Sequence, residues 1–176
     1  MPIIKNTTVI ALTRLFKIIN LKIQFKQNIV RDYEVISGTG DGAVMIIPFL
    51  DNNIIFIKEY AAAINSYSLT FPKGKIDKGE KVLEAANREL QEEIGFKSKN
   101  LDLIHVLDLA PGYIDHKTHI VTARQLIASK LVGDEPEELE IIKCPLSSIN
   151  DFLANTENID SRVYSALYVY FNITKR

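Results

Sequence analysis

The sequence predicts an α/β (α+β) fold: an α/β/α sandwich around a mixed sheet, preceded by an antiparallel β unit. Three observations carry this expectation. Apolar and alternating runs rich in β-branched residues fill most of the first seventy positions, the pattern of strands. One amphipathic helix, dense in carboxylates, lies between Asp77 and Gly95. Further strand-like runs follow, and two helical segments close the chain, an order that suits helices on both faces of a sheet.

Thr7–Ala11 and Leu15–Ile19 are β-branched and apolar, and Leu21–Phe25 alternates with its apolar residues on one face. Lys26-Gln27-Asn28 is the expected turn into another strand over Asn28–Ile36. Residues 1–40 are thus an antiparallel β unit. The break Gly38-Thr39-Gly40-Asp41-Gly42 separates it from a main domain at 41–176. Ala43–Leu50 is nearly all apolar and reads as a buried strand, which Asp51-Asn52-Asn53 turns back into Ile54–Tyr60. A loop over Ala61–Ser66 leads to a short strand at Ser68–Phe71 and a bend at Pro72-Lys73-Gly74.

Asp77, with Glu80 three residues later, has the form of a capping box that would open the helix. Val82, Ala86 and Leu90 give that helix a buried stripe, flanked by Glu89 and Glu93, and Gly95 stops it. Strands are expected at Leu101–Leu109, Thr118–Leu126 and Ile141–Pro145, with a turn at Ala110–Tyr113 and an acidic loop over Gly133–Glu140. Ser147 or Ser148 is the expected cap of a helix through Leu153. The spacing of Val163, Leu167, Tyr170 and Phe171 favours helix over strand for Ser161–Asn172.

Composition narrows the function. A chain of 176 residues with 47% apolar content is enough for one folded core without staples. A net charge of −1 offers no basic field for a nucleic-acid backbone, so no nucleic-acid partner is expected. The lone cysteine, Cys144, cannot form an internal disulfide and suits a small buried residue. No apolar run approaches membrane length, and Met1–Asn20 lacks the form of a secretory signal. A cytoplasmic location without membrane attachment is therefore expected.

The chemistry is concentrated in GKIDKGEKVLEAANRELQEEIGF, Gly74 to Phe96. Glu89, Glu92 and Glu93 stand at i, i+3 and i+4, within roughly 100° of helical arc. Three carboxylates so close repel one another, and a divalent cation relieves that repulsion. An all-oxygen set favours Mg²⁺, with Mn²⁺ as the alternative, over zinc. Taken alone, the triplet is first of all the pattern of a solvated acidic helix face. His116 and His119 lack a third zinc ligand and read as an ordinary loop-to-strand pair.

The full spacing resolves the ambiguity. Gly74, Glu80, Arg88-Glu89-Leu90, Glu92-Glu93 and Gly95-Phe96 resemble the Nudix box, G-x5-E-x7-R-E-U-x-E-E-x-G-U. Every fixed position matches; only Phe96 replaces the usual aliphatic residue. The flanking stretches AVMIIPFLDNNIIFIKEYAAAINSYSLTFPKG, LAPGY and GDEPEELE are similar to the ADP-ribose pyrophosphatase branch of that family. Pro111, sixteen residues after Gly95, resembles the proline that marks ADP-ribose hydrolases.

The resemblance implies roles. Glu89 and Glu93 match metal ligands, with Glu92 binding directly or through water and supporting catalysis. The Lys73 carbonyl matches a backbone ligand. Gly74, Glu80, Arg88 and Gly95 match structural positions of the box. In this branch the catalytic base comes from a later mobile loop, which makes Glu135 the first candidate and Glu137 the second. Arg31 and Lys58 are candidate phosphate contacts, and Tyr33, Pro111 and Tyr113 candidate adenosine or ribose contacts. Ala61 stands where the branch often has an arginine, a departure that bears on one phosphate or adenine contact.

The implied enzyme is a Mg²⁺-dependent pyrophosphohydrolase of small ADP-linked compounds. ADP-ribose would yield AMP and ribose 5-phosphate, with diadenosine triphosphate and NADH as further substrates. The β unit would support a homodimer and reach the neighbouring adenosine site. A catalytically silent ADP-ribose sensor and an RNA 5′ pyrophosphohydrolase are the alternatives.

Overall fold

The computed structural model describes residues 1–38 and 40–173, so Thr39 of the glycine-rich break lies outside the described residues. The chain opens with β1 (Ile3–Leu12), β2 (Lys17–Gln24) and β3 (Val30–Ser37), paired antiparallel in that order. The segments Leu15–Ile19 and Leu21–Phe25, expected as two strands, differ from this: a single strand starts at Lys17, and the β1–β2 turn takes up Leu15 and Phe16. Thr13 makes that turn, its Oγ1 accepting from Phe16 N at 2.8 Å. Such local side-chain bonding favours turns over ladders. Asn20, polar but mid-strand, faces Thr8 and Glu34 and interrupts nothing.

β4 (Ala43–Leu50) and β5 (Asn53–Ala61) are the centre of the main sheet. They pair with each other only beside their turn, at Phe49↔Ile54 and Leu50↔Asn53, and then splay apart. β6 (Ser66–Thr70) pairs with β5, and β7 (Lys73–Lys75) pairs with β4, so the chain between them fills the wedge. β7 was expected only as a bend, because Lys-Gly-Lys has no strand periodicity; the splay supplies it with a partner. Next come α1 (Val82–Glu93), β8 (Phe96–Asp108), β9 (Ile114–Asp115), β10 (Lys117–Ala128) and β11 (Glu140–Pro145). β10 runs parallel to β4 and antiparallel to β8, which makes the sheet mixed, and β11 closes the far edge against β5. β9 lies parallel to β3 and joins the N-terminal sheet to the turn that precedes β10.

Alternation along β4 and β5 decides the layers. Val44, Ile46, Ile55 and Ile57 face α1, packing with Ala85, Ala86, Leu90, Val121 and Ala123. Met45, Ile47, Phe49, Ile54 and Phe56 face the other way, toward α2 (Ile149–Ala154) and α3 (Ser161–Asn172). The result is the expected helix–sheet–helix sandwich. Two cap details differ. Asp77 and Glu80 do bond each other, Asp77 N to Glu80 Oε2 at 3.0 Å, but they close the loop ahead of the helix. The helix itself begins a turn later, where Lys81 N donates to the Glu84 carboxylate at 3.3 Å. Ser148 precedes α2 yet donates back to Pro145 O at 3.2 Å and makes no bond to the helix.

Phe56 is fully buried, stacked on Phe71 with centroids 4.6 Å apart and tilted against Phe152 at 5.5 Å. Phe56→Ala should therefore cost about 3–5 kcal/mol, transfer and cavity terms together. Urea unfolding will show this as a lower midpoint with an unchanged m-value.

Candidate active site

Two carboxylates of α1 are kept from water. Glu89 is 8% exposed and Glu93 6%, beside the small Ala85–Ala86 face of the helix that lets it lie close to the sheet. Burial pushes Glu89 up to about 7, against the pull of Arg88. Burial likewise pushes Glu93 up to about 8, against the pull of Lys73. Both carboxyls are raised above the ordinary carboxylate range because nearby positive charge undercompensates the lost hydration.

The splayed strands bring a backbone segment onto these acids. Lys73 N donates to Glu93 Oε2 at 2.9 Å. Gly74, paired with Val44, lies directly over Glu89; a Cβ there would occupy the position of the Glu89 carboxylate. The Lys73 side chain forms an ion pair with Glu59 of β5. The Lys73 carbonyl, in β7 opposite Met45, belongs to this same segment.

Arg88 organises the outer acids. Its Nε and Nη2 bind the two oxygens of Glu80 at 2.9 and 3.0 Å, and Nη2 also reaches Lys75 O at 3.0 Å. Its Nη1 bonds Glu89 at 2.6 Å and Glu92 at 2.9 Å. Hydrogen bonding to Glu80 first, then to Glu89 and Glu92, raises Arg88 above its ordinary value, and Glu80 is correspondingly held low. Gly95 follows the helix with φ +72°, a conformation that favours glycine, and lets Gly95 O accept from Ser129 N at 2.9 Å.

These residues line one large groove of about 1620 Å³. Its walls include Glu59, Lys73, Gly74, Glu80, Arg88, Glu89 and Glu92, while Glu93 lies just beneath. Glu135 joins them from the loop ahead of β11; burial and then the Glu59 charge raise its carboxyl above the ordinary range. Glu137 points elsewhere, accepting from Tyr67 Oη at 2.8 Å.

The remaining candidates lie outside the groove that one chain forms. Arg31 and Tyr33 are exposed on β3; Arg31 Nη1 bonds Val30 O at 2.9 Å and Tyr33 tilts against Phe25. Lys58 pairs with Glu140 at 3.6 Å. Pro111 and Tyr113 form an exposed turn whose Tyr113 O accepts from Ile36 N at 2.9 Å. His116 and His119 both line the groove, and His119 Nε2 contacts Asp41 O at 3.2 Å.

Sequence reasoning missed several groove residues: Glu59, the Lys73 side chain, Leu15 and Phe16 of the first turn, and Arg162. Glu59 left a signal, the one carboxylate in the strand run Ile54–Tyr60; the others left none.

A divalent cation suits this donor set. Two buried carboxylates with raised pKa values are short of positive charge, and every donor offered is oxygen. Among the described residues no three acids, histidines or cysteines are already gathered as ligands. Arg88 occupies Glu89 and Glu92 instead, so those two would turn from it to a metal.

Comparison with known proteins places this geometry. The profile of the NUDIX domain matches residues 41–167. The chain is 42% identical over 168 residues to the ADP compounds hydrolase NudE of Escherichia coli K12, covering 96% of this chain and 90% of that one. It is 30% identical to an ADP-ribose pyrophosphatase of Bacillus subtilis 168, over 72% and 70% of the two chains. A crystal structure of an ADP compounds hydrolase superposes with a TM-score of 0.89 at 41% identity, covering 96% and 91%. The carboxylate helix, the glycine over it and the sandwich that joins them are those of a Nudix hydrolase, and this chain belongs to the Nudix family.

Proposed function

We propose that this Nudix pyrophosphatase hydrolyses ADP-linked compounds with Mg²⁺, ADP-ribose giving AMP and ribose 5-phosphate. The observation that carries this reading is the Glu89–Glu93 pair under the Lys73–Gly74 backbone, at the floor of a groove large enough for a dinucleotide. The names of the relatives, an ADP compounds hydrolase and an ADP-ribose pyrophosphatase, support the substrate class.

Glu89, Glu93 and Glu92 would hold the metal, with the Lys73 carbonyl as a backbone donor. Bound there, Mg²⁺ supplies charge neutralisation for the pyrophosphate and acidifies water. The protein's own residues do the rest. Glu135, at the rim with its proton affinity raised, accepts the proton of the water that attacks one phosphorus as the bridging P–O bond breaks. Glu137 is the alternative base, although its hydrogen bond to Tyr67 favours Glu135. Lys73 steadies Glu93 through its N–H, while Glu80 and Arg88 fix the helix face.

The site is built for turnover rather than sensing alone, because every acid of the box is retained around one groove. The near-neutral charge disfavours an RNA 5′ end as substrate. We further propose that residues 1–40 serve dimerisation. β1 is exposed along its whole length, and Ile3, Ile4, Val9 and Ile10 are each about half exposed on it. In such a dimer Arg31 and Tyr33 of the β unit would reach the neighbouring adenosine site, with Lys58, Pro111 and Tyr113 as further candidate substrate contacts. No helix among the described residues is long and apolar enough to cross a membrane, and we place the enzyme in the cytoplasm.

AMP release from ADP-ribose, NADH, diadenosine triphosphate and capped RNA, with and without Mg²⁺, tests the reading. Release from the three ADP-linked compounds only with metal is expected; binding without turnover, or preference for RNA, would refute it. Glu93→Gln should lower kcat by at least roughly a hundredfold, the scale of single charged groups in a transition state, with an unchanged circular dichroism spectrum. Glu135→Gln should lower kcat by about 10²–10⁴, the usual share of a general base, while leaving Mg²⁺ binding intact.

Stability should depend on pH in a defined direction. Glu93 titrates at about 8 in the folded chain against 4.5 ordinarily, so the folded state holds the extra proton between those values. Stability of the metal-free protein should therefore fall as pH rises through that window. Thermal melting in EDTA from about pH 5 to about pH 8 will show the fall, and added Mg²⁺ should reverse it most at the alkaline end.

A further inference from the structure

Besides the acids, the groove is lined by residues that the box does not contain. Arg162, on the first turn of α3, lines it together with His116. Arg162 is unusually fixed for a groove cation. Its Nε contacts both Asp160 oxygens at 3.1 Å and its Nη2 contacts Asp160 Oδ2 at 2.6 Å. Asp160 is itself tied down: its N donates to Leu69 O at 3.0 Å and its Oδ2 accepts from Thr70 Oγ1 at 3.4 Å. Arg162 Nη1 has no hydrogen-bond partner among the described residues. The guanidinium is thus held with one donor edge free.

Position relative to the acids follows from β6 and β7. Thr70, which holds Asp160, is three residues before Lys73, whose N–H holds Glu93. The Lys73 charge acts on Glu93, on Glu135 and on Asp160, which couples the acid floor to the Asp160–Arg162 pair. His116 lines the same groove as Arg162, and burial first, then the Arg162 charge, lower its pKa. A neutral imidazole beside a preorganised guanidinium suits an anion that arrives with its own charge. The groove volume also exceeds the roughly 300–1,000 Å³ usual for one small ligand.

We propose that Arg162 and His116 form a phosphate subsite beyond the scissile pyrophosphate, which selects substrates whose bridge carries a third phosphate. This rests on the pyrophosphatase reading above and adds a specificity-determining pair to it. ADP-ribose presents sugar hydroxyls there, which need neither the positive charge nor the fixed fork. A triphosphate-bridged dinucleotide presents an anion.

The test compares R162K with the unaltered enzyme on diadenosine triphosphate and on ADP-ribose. Lysine keeps a charge for Asp160, and thus the fold, but loses the planar fork. For diadenosine triphosphate, kcat/KM should fall about tenfold or more, the scale of one charge-assisted hydrogen bond, while ADP-ribose changes by less than about threefold. Equal losses on both substrates, or none on either, would overturn the proposal. A second measurement needs no turnover: NMR titration of His116 in the unaltered protein, with and without inorganic tripolyphosphate. A raised His116 pKa is expected, and an unmoved one overturns the subsite. Should ADP-ribose not be hydrolysed at all, the pyrophosphatase reading fails, and the tripolyphosphate titration still decides the subsite.

Discussion

Burial of two like charges on one helix face is the constraint around which this molecule is arranged. Glu89 and Glu93 cannot be packed against a sheet without cost, and desolvation dominates both of their titrations. Everything nearby bears on that cost. The helix is narrowed by alanines where it meets the sheet, Lys73 gives one N–H to Glu93, and Arg88 gives a guanidinium to Glu89. These contacts leave a charge deficit, and a site short of positive charge is one that can take a cation. Gly74 shows how tight the arrangement is, since no side chain fits between β7 and Glu89.

The splay of β4 and β5 is what makes the constraint useful. Had the two strands stayed paired along their length, no chain would run beside the acids. Because they part after two residue pairs, β6 and β7 enter the wedge and deliver Lys73 and Gly74 to the helix. The same wedge carries Glu59 and Thr70, and through Thr70 the Asp160–Arg162 pair of the distant α3. One topological choice therefore links the acid floor, the loop acid Glu135 and Arg162 into a single groove.

Much of this was legible in the sequence, for definite reasons. The acids of α1 are local, so helical periodicity and fixed gaps reveal them. The layers of the sandwich follow from the alternation of Val44–Phe49 and Ile54–Ile57, which needs only the two-residue period of a strand. What was not legible comes from contacts between residues far apart in the chain. Arg162 meets the groove from a segment about seventy residues beyond the box, with no pattern of its own. β7 is a strand only because β4 lies open beside it. The Asp77–Glu80 signature is real but one turn early: the Glu80 carboxylate accepts from Asp77 N and closes a loop, and packing of Val82 and Ala85 decides where the helix starts.

Carbon-13 NMR titration of the Glu89 and Glu93 carboxyls, without and then with Mg²⁺, tests the central claim most directly. Midpoints near 7 and near 8 are expected in metal-free protein, both moving well down once Mg²⁺ is added. Two carboxyls titrating near their ordinary 4.5, indifferent to Mg²⁺, would contradict it.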